Sequence, residues 1–249
     1  PYHYSFLERL KVKKIYRATD GPMVANLRDA IYANWFDFVF INTTNWSCGQ
    51  SAINAFKRFG SKEVLFVPLG SIDYYWQPLD CLSSKRNDKV IFVGSLHKNK
   101  IDILSKIYRT GKIKIYGKSS LKQNLYFIFK SKSLIPIKKL PFDKINQKYL
   151  EFDRGLNIHN WGLDSFGNYR LYDYLVHGVF QICEDASNFT LGLRMPEYMF
   201  KFFTNENDLK ELLKINSGLS FNDRYEAAAY SRDKFNASIL MRNGLEKIL

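Results

Sequence analysis

Arg170 and Asp173 stand three residues apart, the spacing that puts two side chains on one face of a helix. A guanidinium at such a place can grip a diphosphate through two parallel hydrogen bonds. A carboxylate one turn further on is an acceptor-only group suited to the paired hydroxyls of a ribose. The competing reading is an ordinary surface ion pair, worth only about 0.2–0.5 kcal/mol. Asn168 sits where the helix opens and reads as its N-cap, with free backbone N–H groups ahead of it. His177 falls on the same face but near the C-terminal end, where a cation is favourable in any case. Asn157 and His159 close the strand that feeds the preceding loop. His159 could contact a hydroxyl or a phosphate, or be a satisfied polar residue at a strand end.

A second group follows the apolar run Val90–Val93. Gly94 and Ser95 close that strand, and a glycine there lets backbone N–H groups approach a phosphate with no Cβ in the way. Lys98 and Lys100 lie just beyond, although a routine strand-to-helix turn with solvated lysines has the same composition. Gly117 and Lys118 end the next apolar strand. Asp20, after the first strand of the chain, could act as a base toward a hydroxyl or cap the helix that Pro22 opens.

Such groups need strands that end, and helices that begin, where a ligand lies. Residues Gly155 to Asp185 have that form: strand Leu156–His159, a polar Gly-bearing loop, a short helix broken by Gly178, and strand Val179–Cys183. This is how a parallel α/β sheet offers a helix N-terminus, a cation and a carboxylate to a phosphorylated ligand. The alternation covers nearly the whole chain. Lys14–Ala18, Phe36–Ile41 and Val64–Val67 read as strands, with a helix from Pro22 to about Ala33 and another over Gln50–Phe59 that stops at Gly60. Tyr74–Asn87 lacks periodicity and reads as a linker. Strands Val90–Val93 and Lys112–Tyr116 then alternate with helices Lys98–Tyr108, Leu121–Lys130 and Asp143–Leu150. Met199–Phe203 is a last strand, Glu206–Leu213 a helix begun by Asn205, and the chain from Asn222 is helical with Gly244 as a point of interruption.

The expected class is therefore α/β, with two units facing across a cleft. Residues 1–75 form a first, incomplete unit, 76–88 a linker, and 89–221 a second unit. Residues 222–249 form a helical segment that packs back on the first.

Composition narrows the partners. The 249 residues are 46% hydrophobic and 16% aromatic, a globular make-up. No apolar run reaches the roughly 18 residues needed to span a bilayer. Three cysteines, Cys48, Cys81 and Cys183, share no metal-like spacing and make no disulfide framework, as expected of a reduced, cytoplasmic protein. The chain opens at Pro1 without a methionine, as a segment of a longer protein would. Thirty-seven Lys and Arg against 24 Asp and Glu give +13, a charge suited to nucleotide phosphates, an anionic membrane surface or nucleic acid. The basic residues read as scattered, no nucleic-acid signature is present, and no strongly amphipathic anchor is evident. Also missing are an Asp-X-Asp motif after a strand, Gly-X-Gly-X-X-Gly, a Walker loop, a nucleophile elbow and clustered His or Cys.

The runs VIFVGSLHKNKIDIL (90–104), IKIYG (113–117) and GLNIH…NYRLYDYLVHGVFQICED, in that order, resemble the C-terminal half of a GT-B glycosyltransferase of the spore-maturation-protein-like group. IYRATDGP and EVLFVPLGSIDYYWQP are similar to the end of that group's N-terminal domain and its crossover. The likeness runs from about Ile15 to about Arg242. It implies two Rossmann-like domains, a nucleotide-sugar donor held by the second, an acceptor on the first, no metal and no cofactor. It also implies retention of the anomeric configuration, the leaving phosphate itself accepting the proton.

On this resemblance Arg170, Lys100 and Asp20 carry the chemistry. Gly94, Ser95, Lys98, Gly117, Asn157, His159, Asn168 and Asp173 bind the donor, and the Leu140-Pro141 loop lies by its base. Related enzymes most often carry Glu where this chain has Asp173, so the reach to a ribose is one methylene shorter. The implied partners are a nucleotide-sugar and a glycan or lipid-linked acceptor, with no nucleic acid, and the basic surplus adds peripheral contact with an anionic membrane. The implied process is cell-surface polysaccharide synthesis. Competing readings are a nucleotide-sugar epimerase or phosphorylase on the same scaffold, and a non-enzymatic, basic nucleic-acid-binding protein.

Overall fold

The computed structural model describes residues 5–18, 25–44, 51–82, 85–133, 137–158, 168–185 and 187–249. Strands form where apolar residues run unbroken, because a parallel strand is covered on both faces. Phe38–Ile41 (β2) pairs in parallel with Ile15–Ala18 (β1) and with Glu63–Phe66 (β3), in the order β1-β2-β3. A second sheet holds Asn87–Val93 (β4), Ile113–Tyr116 (β5), Phe152–Asn157 (β6), Phe180–Glu184 (β7) and Phe200–Phe203 (β8). Its order is β5-β4-β6-β7-β8, and every pairing is parallel.

Helices connect the strands. Ala52–Arg58 (α1) follows β2, and Lys98–Tyr108 (α2) follows β4. Leu121–Ser131 (α3) and Phe142–Tyr149 (α4) follow β5, and Tyr169–Val176 (α5) follows β6. Glu206–Leu212 (α6), Phe221–Lys234 (α7) and Ala237–Glu246 (α8) come after β8. Ser51, Ser120, Asn168, Asn205, Ser220 and Asn236 each cap a helix by accepting a backbone N–H. The largest core packs α2, α3 and α6 on the second sheet, around Phe92, Leu104, Phe127, Leu156 and Leu209.

Two local expectations are corrected. Strand β6 begins at Phe152, not Leu156, and ends at Asn157. Its start is hidden because Arg154 looks like a surface residue yet is buried. Both Nη groups of its guanidinium donate to carbonyls, those of Leu213, Ile215 and Asp88, which offsets the cost of burial. Gly244 does not interrupt the C-terminal helix: the break falls at Asn236, the cap of α8. Gly244 lies within α8, where a Cβ would stand 2.9 Å from Val67 Cγ2 and 3.2 Å from Phe40 Cε2. Its bareness lets the helix lie on the first sheet, where Met241, Leu245 and Ile248 pack near Phe40 and Val67. The aperiodic segment after β3, read as a linker, packs against α7. Arg232 stacks over Trp76 at 5.4 Å, donates to the Gln77 carbonyl and also to that of Val176. Ser71 N donates to the Phe235 carbonyl and Ala237 N to that of Ser71, at 2.8 and 2.9 Å. The outgoing and returning chains are thus hydrogen-bonded to each other.

Candidate functional site

From β4 the chain moves to β5 on one side, and later reaches β6 on the other. The carboxyl ends of β4 and β6 therefore flank the topological switch point, where open α/β sheets bind ligands. Arg170 fills this place. Its Nε donates to the Val93 carbonyl at 2.6 Å, and its Nη1 to Asn157 Oδ1 and the Ile158 carbonyl at 3.0 and 3.3 Å. The guanidinium carbon lies 4.7 Å from the centre of the Phe92 ring.

Local sequence explains the placement. Asn168 caps α5, its Oδ1 accepting from Leu171 N at 3.1 Å. Leu171, Tyr172, Tyr174, Leu175 and Val176 anchor the helix in the core. Arg170, in the first turn, leans back toward the strand ends. Gly94 leaves room for it: a Cβ there would overlap Nη2 of Arg170. A Cβ on Gly117 would likewise overlap the Gly94 carbonyl, so the ends of β4 and β5 close up only as glycines.

Lys100 comes to the same point from the first turn of α2. The residue is 3% exposed, and its Nζ lies 5.9 Å from the Phe92 ring centre. Among the described residues its ammonium has neither hydrogen bond nor ion pair. Burial pushes its pKa down to about 7, the Arg170 charge adds to that fall, and Glu184 at the end of β7 opposes it. Two cations thus share one aromatic ring, and the buried one makes no ion pair with any described residue. Such an arrangement suits a ligand that brings its own negative charge.

The other expected residues divide. Ser95 and Lys98 are exposed. Ser95 lines an open cavity of about 310 Å³ with Leu96, His97, Lys118, Ser119, Ser120 and Gln123, between the ends of β4 and β5. Gly117 N donates to the Lys138 carbonyl at 3.0 Å, which ties the chain just before Leu140-Pro141 to this edge. Asn157 is fully buried, and its Oδ1 accepts from both Arg170 and Asn168. It therefore positions these two from within. Asp173 is directed elsewhere: its Oδ1 accepts from Ser71 Oγ at 2.7 Å, and Ser71 in turn accepts from Trp76 Nε1 at 2.9 Å. Burial raises its pKa to about 6. His177 is buried beside the Asp173 carbonyl, and burial pulls its pKa down to about 4, which makes it neutral and not a cation. Asp20 and His159 lie outside the described residues.

Sequence reasoning did not single out Phe92, the platform for both cations, because it read as one more apolar residue of a buried strand. Nor did it pick out Glu184 or Ser71. The acidic pair Glu184-Asp185 at a strand end was the available signal for Glu184. Ser71 carried none.

No protein-family model matches the sequence, and no curated protein does. Solved structures match in shape. A UDP-forming alpha,alpha-trehalose-phosphate synthase from Burkholderia xenovorans, solved with glucose-6-phosphate, is similar at TM-score 0.64 and 10% identity over 100% of this chain and 71% of its own. An alpha-glucosyltransferase solved with UDP-glucose and DNA containing an abasic site gives 0.63 and 10%, over 99% of this chain and 75% of its own. TarM of S. aureus, solved with Fondaparinux, alpha-GlcNAc-glycerol and UDP, gives 0.57 and 12%, over 89% and 46%. The chain has the GT-B fold. In this GT-B chain the switch point described above lies in the second sheet, and β1 to β3 form a separate sheet.

Proposed function

We propose that this chain is a glycosyltransferase that moves a sugar from a nucleoside-diphosphate sugar to a hydroxyl of a glycan or lipid-linked acceptor. The observation that carries the reading is Lys100, a buried ammonium with no hydrogen bond or ion pair among the described residues, next to Arg170 at the switch point of the sheet. A diphosphate entering there supplies the missing counter-charge. As the glycosidic bond breaks, negative charge grows on the departing β-phosphate, and preorganised cations stabilise it without reorganising. Lys100 is the stronger candidate for this work, because its N–H donors have no hydrogen-bond partner among the described residues. Arg170 spends Nε and Nη1 on the strand ends, leaving Nη2 above Gly94 to reach the ligand.

With two cations at the leaving group, we take the reaction to proceed without a metal and with retention, the phosphate accepting the acceptor's proton. The cavity between Ser95 and Lys118 is assigned to the nucleoside. UDP is the natural first nucleotide to try, since UDP or UDP-glucose accompanies two of the similar structures. The test is to incubate the protein with UDP-, GDP-, ADP- and CDP-sugars, with and without mixed glycan acceptors and a chelator. Acceptor-dependent release of nucleoside diphosphate, insensitive to the chelator, is the expected result. Isomerised donor with no acceptor would reassign the site to an epimerase, and no turnover or binding of any donor would overturn the proposal.

A further inference from the structure

Residues 103–142 contain ten Lys or Arg and no Asp or Glu, so one sixth of the chain holds most of its +13 surplus. The basic residues are therefore not scattered. This stretch builds the second half of α2, β5 and α3 at the β5 edge of the second sheet, where β5 pairs with β4 and, through the single bridge Tyr116–Lys138, with the chain after α3. Helix α3 is apolar on two sides. Phe127 and Ser131 face the core, while Tyr126 bonds to Asp102 of α2 through its hydroxyl at 2.7 Å. On the outer side Leu121, Leu125 and Phe129 are 77%, 58% and 79% exposed. At four-residue spacing they form one ridge along the helix. Single exposed apolar residues are ordinary, but an aligned ridge of three marks a contact surface. Apolar residues on both sides also explain why the sequence shows no clean amphipathic pattern here. Lys118, Lys122, Lys130 and Lys132 flank the ridge, all exposed and in no ion pair with any described residue.

We propose that this ridge and its lysines dock the protein on an anionic phospholipid surface. Such a surface offers acyl chains to Leu121, Leu125 and Phe129 and phosphates to the lysines at once. A nucleic acid would satisfy the lysines but give the aliphatic ridge no counterpart. A second copy of this chain would set like charge against like charge. Ser120, the cap of α3, lines the cavity beside Ser95, so the ridge begins at the rim of the candidate donor site. Where the glycosyltransferase reading holds, docking brings a lipid-borne acceptor to that rim.

Vesicle flotation of the 249-residue chain tests this without any assay of activity. The vesicles are phosphatidylcholine alone, and phosphatidylcholine with about 30% phosphatidylglycerol. Binding to the anionic vesicles only is expected. It should fall on the order of tenfold in Leu125→Gln/Phe129→Gln and in Lys122→Gln/Lys130→Gln. All four positions are solvent-facing, so unchanged melting curves are expected as the control. Flotation with neither vesicle, or equal flotation of the ridge variant, would overturn the proposal. A dimer in sedimentation that the ridge variant abolishes, with no vesicle binding, would give the ridge to a second copy. Oligonucleotide binding that depends on the lysines but not the ridge, again with no vesicle binding, would reassign the patch to nucleic acid.

Discussion

Arg170 and Gly94 share one volume: the Nη2 end of the guanidinium lies where a side chain on Gly94 would begin. The cation is held at the switch point as much by the missing Cβ as by its hydrogen bonds to Val93 and Asn157.

This relation separates two glycine substitutions. In Gly94→Ala the new methyl meets the far end of a flexible side chain, which swings away. Stability should change by less than about 1 kcal/mol, while nucleoside-diphosphate affinity falls with the loss of the aligned guanidinium. In Gly117→Ala the methyl meets the backbone carbonyl of Gly94, which cannot swing. That substitution should cost about 1–3 kcal/mol in urea unfolding. Equal stability losses in the two variants would contradict the placement of Arg170.

Lys100 should trade stability for binding. Its ammonium is buried with no ion pair to any described residue, so Lys100→Met should raise unfolding stability, by about 1–3 kcal/mol at neutral pH. The pH dependence has a definite sign. The folded pKa is about 7 against an ordinary 10.5, so between these values the unfolded chain holds the extra proton. This group's contribution to stability therefore rises with pH across that window, and the rise is lost in Lys100→Met. Because an anionic ligand favours the ammonium, ligand binding at about pH 8 should take up a proton. Calorimetry in buffers of different ionisation enthalpy reads that uptake.

Asp173 gives the opposite window. Burial raises its pKa to about 6 from 3.8, so between those values the folded chain binds more protons than the unfolded chain. Its contribution to stability is full below about 3.8 and falls as pH rises through about 6. Asp173→Asn keeps an acceptor for Ser71 and removes the charge. Urea unfolding should then show the variant more stable than the parent at about pH 8 and the two converging toward about pH 4. A variant that is less stable than the parent at about pH 8 would mean that the ionised carboxylate is needed for the Ser71–Trp76 contact.

The alternation of elements was legible because it is local. Val90–Val93 could only be a strand covered on both faces, and Lys98–Tyr108 was delimited by a glycine turn and by apolar spacing. Arg170 was legible for a related reason, since the strand, the loop, Asn168 and the arginine follow one another in the sequence. What lay outside the reading is set by contacts across the fold. Ser71 meets Asp173 over 102 residues of chain, and no local pattern announces that pairing. Arg154 reads as exposed until its carbonyl partners from β4 and the chain after α6 are known. Phe92 acquires its role only when α2 and α5 deliver Lys100 and Arg170 to its ring.

Direct titration of nucleoside diphosphates into the parent protein and Lys100→Met tests the central claim, that the buried ammonium and its neighbouring guanidinium form a diphosphate cradle. The parent should bind at least one of UDP, GDP, ADP and CDP. Lys100→Met, folded and more stable, should bind that ligand about 10–100-fold more weakly, the worth of one hydrogen bond to a charged group. Equal affinity in the two proteins, or no binding of any diphosphate by the parent, would contradict it.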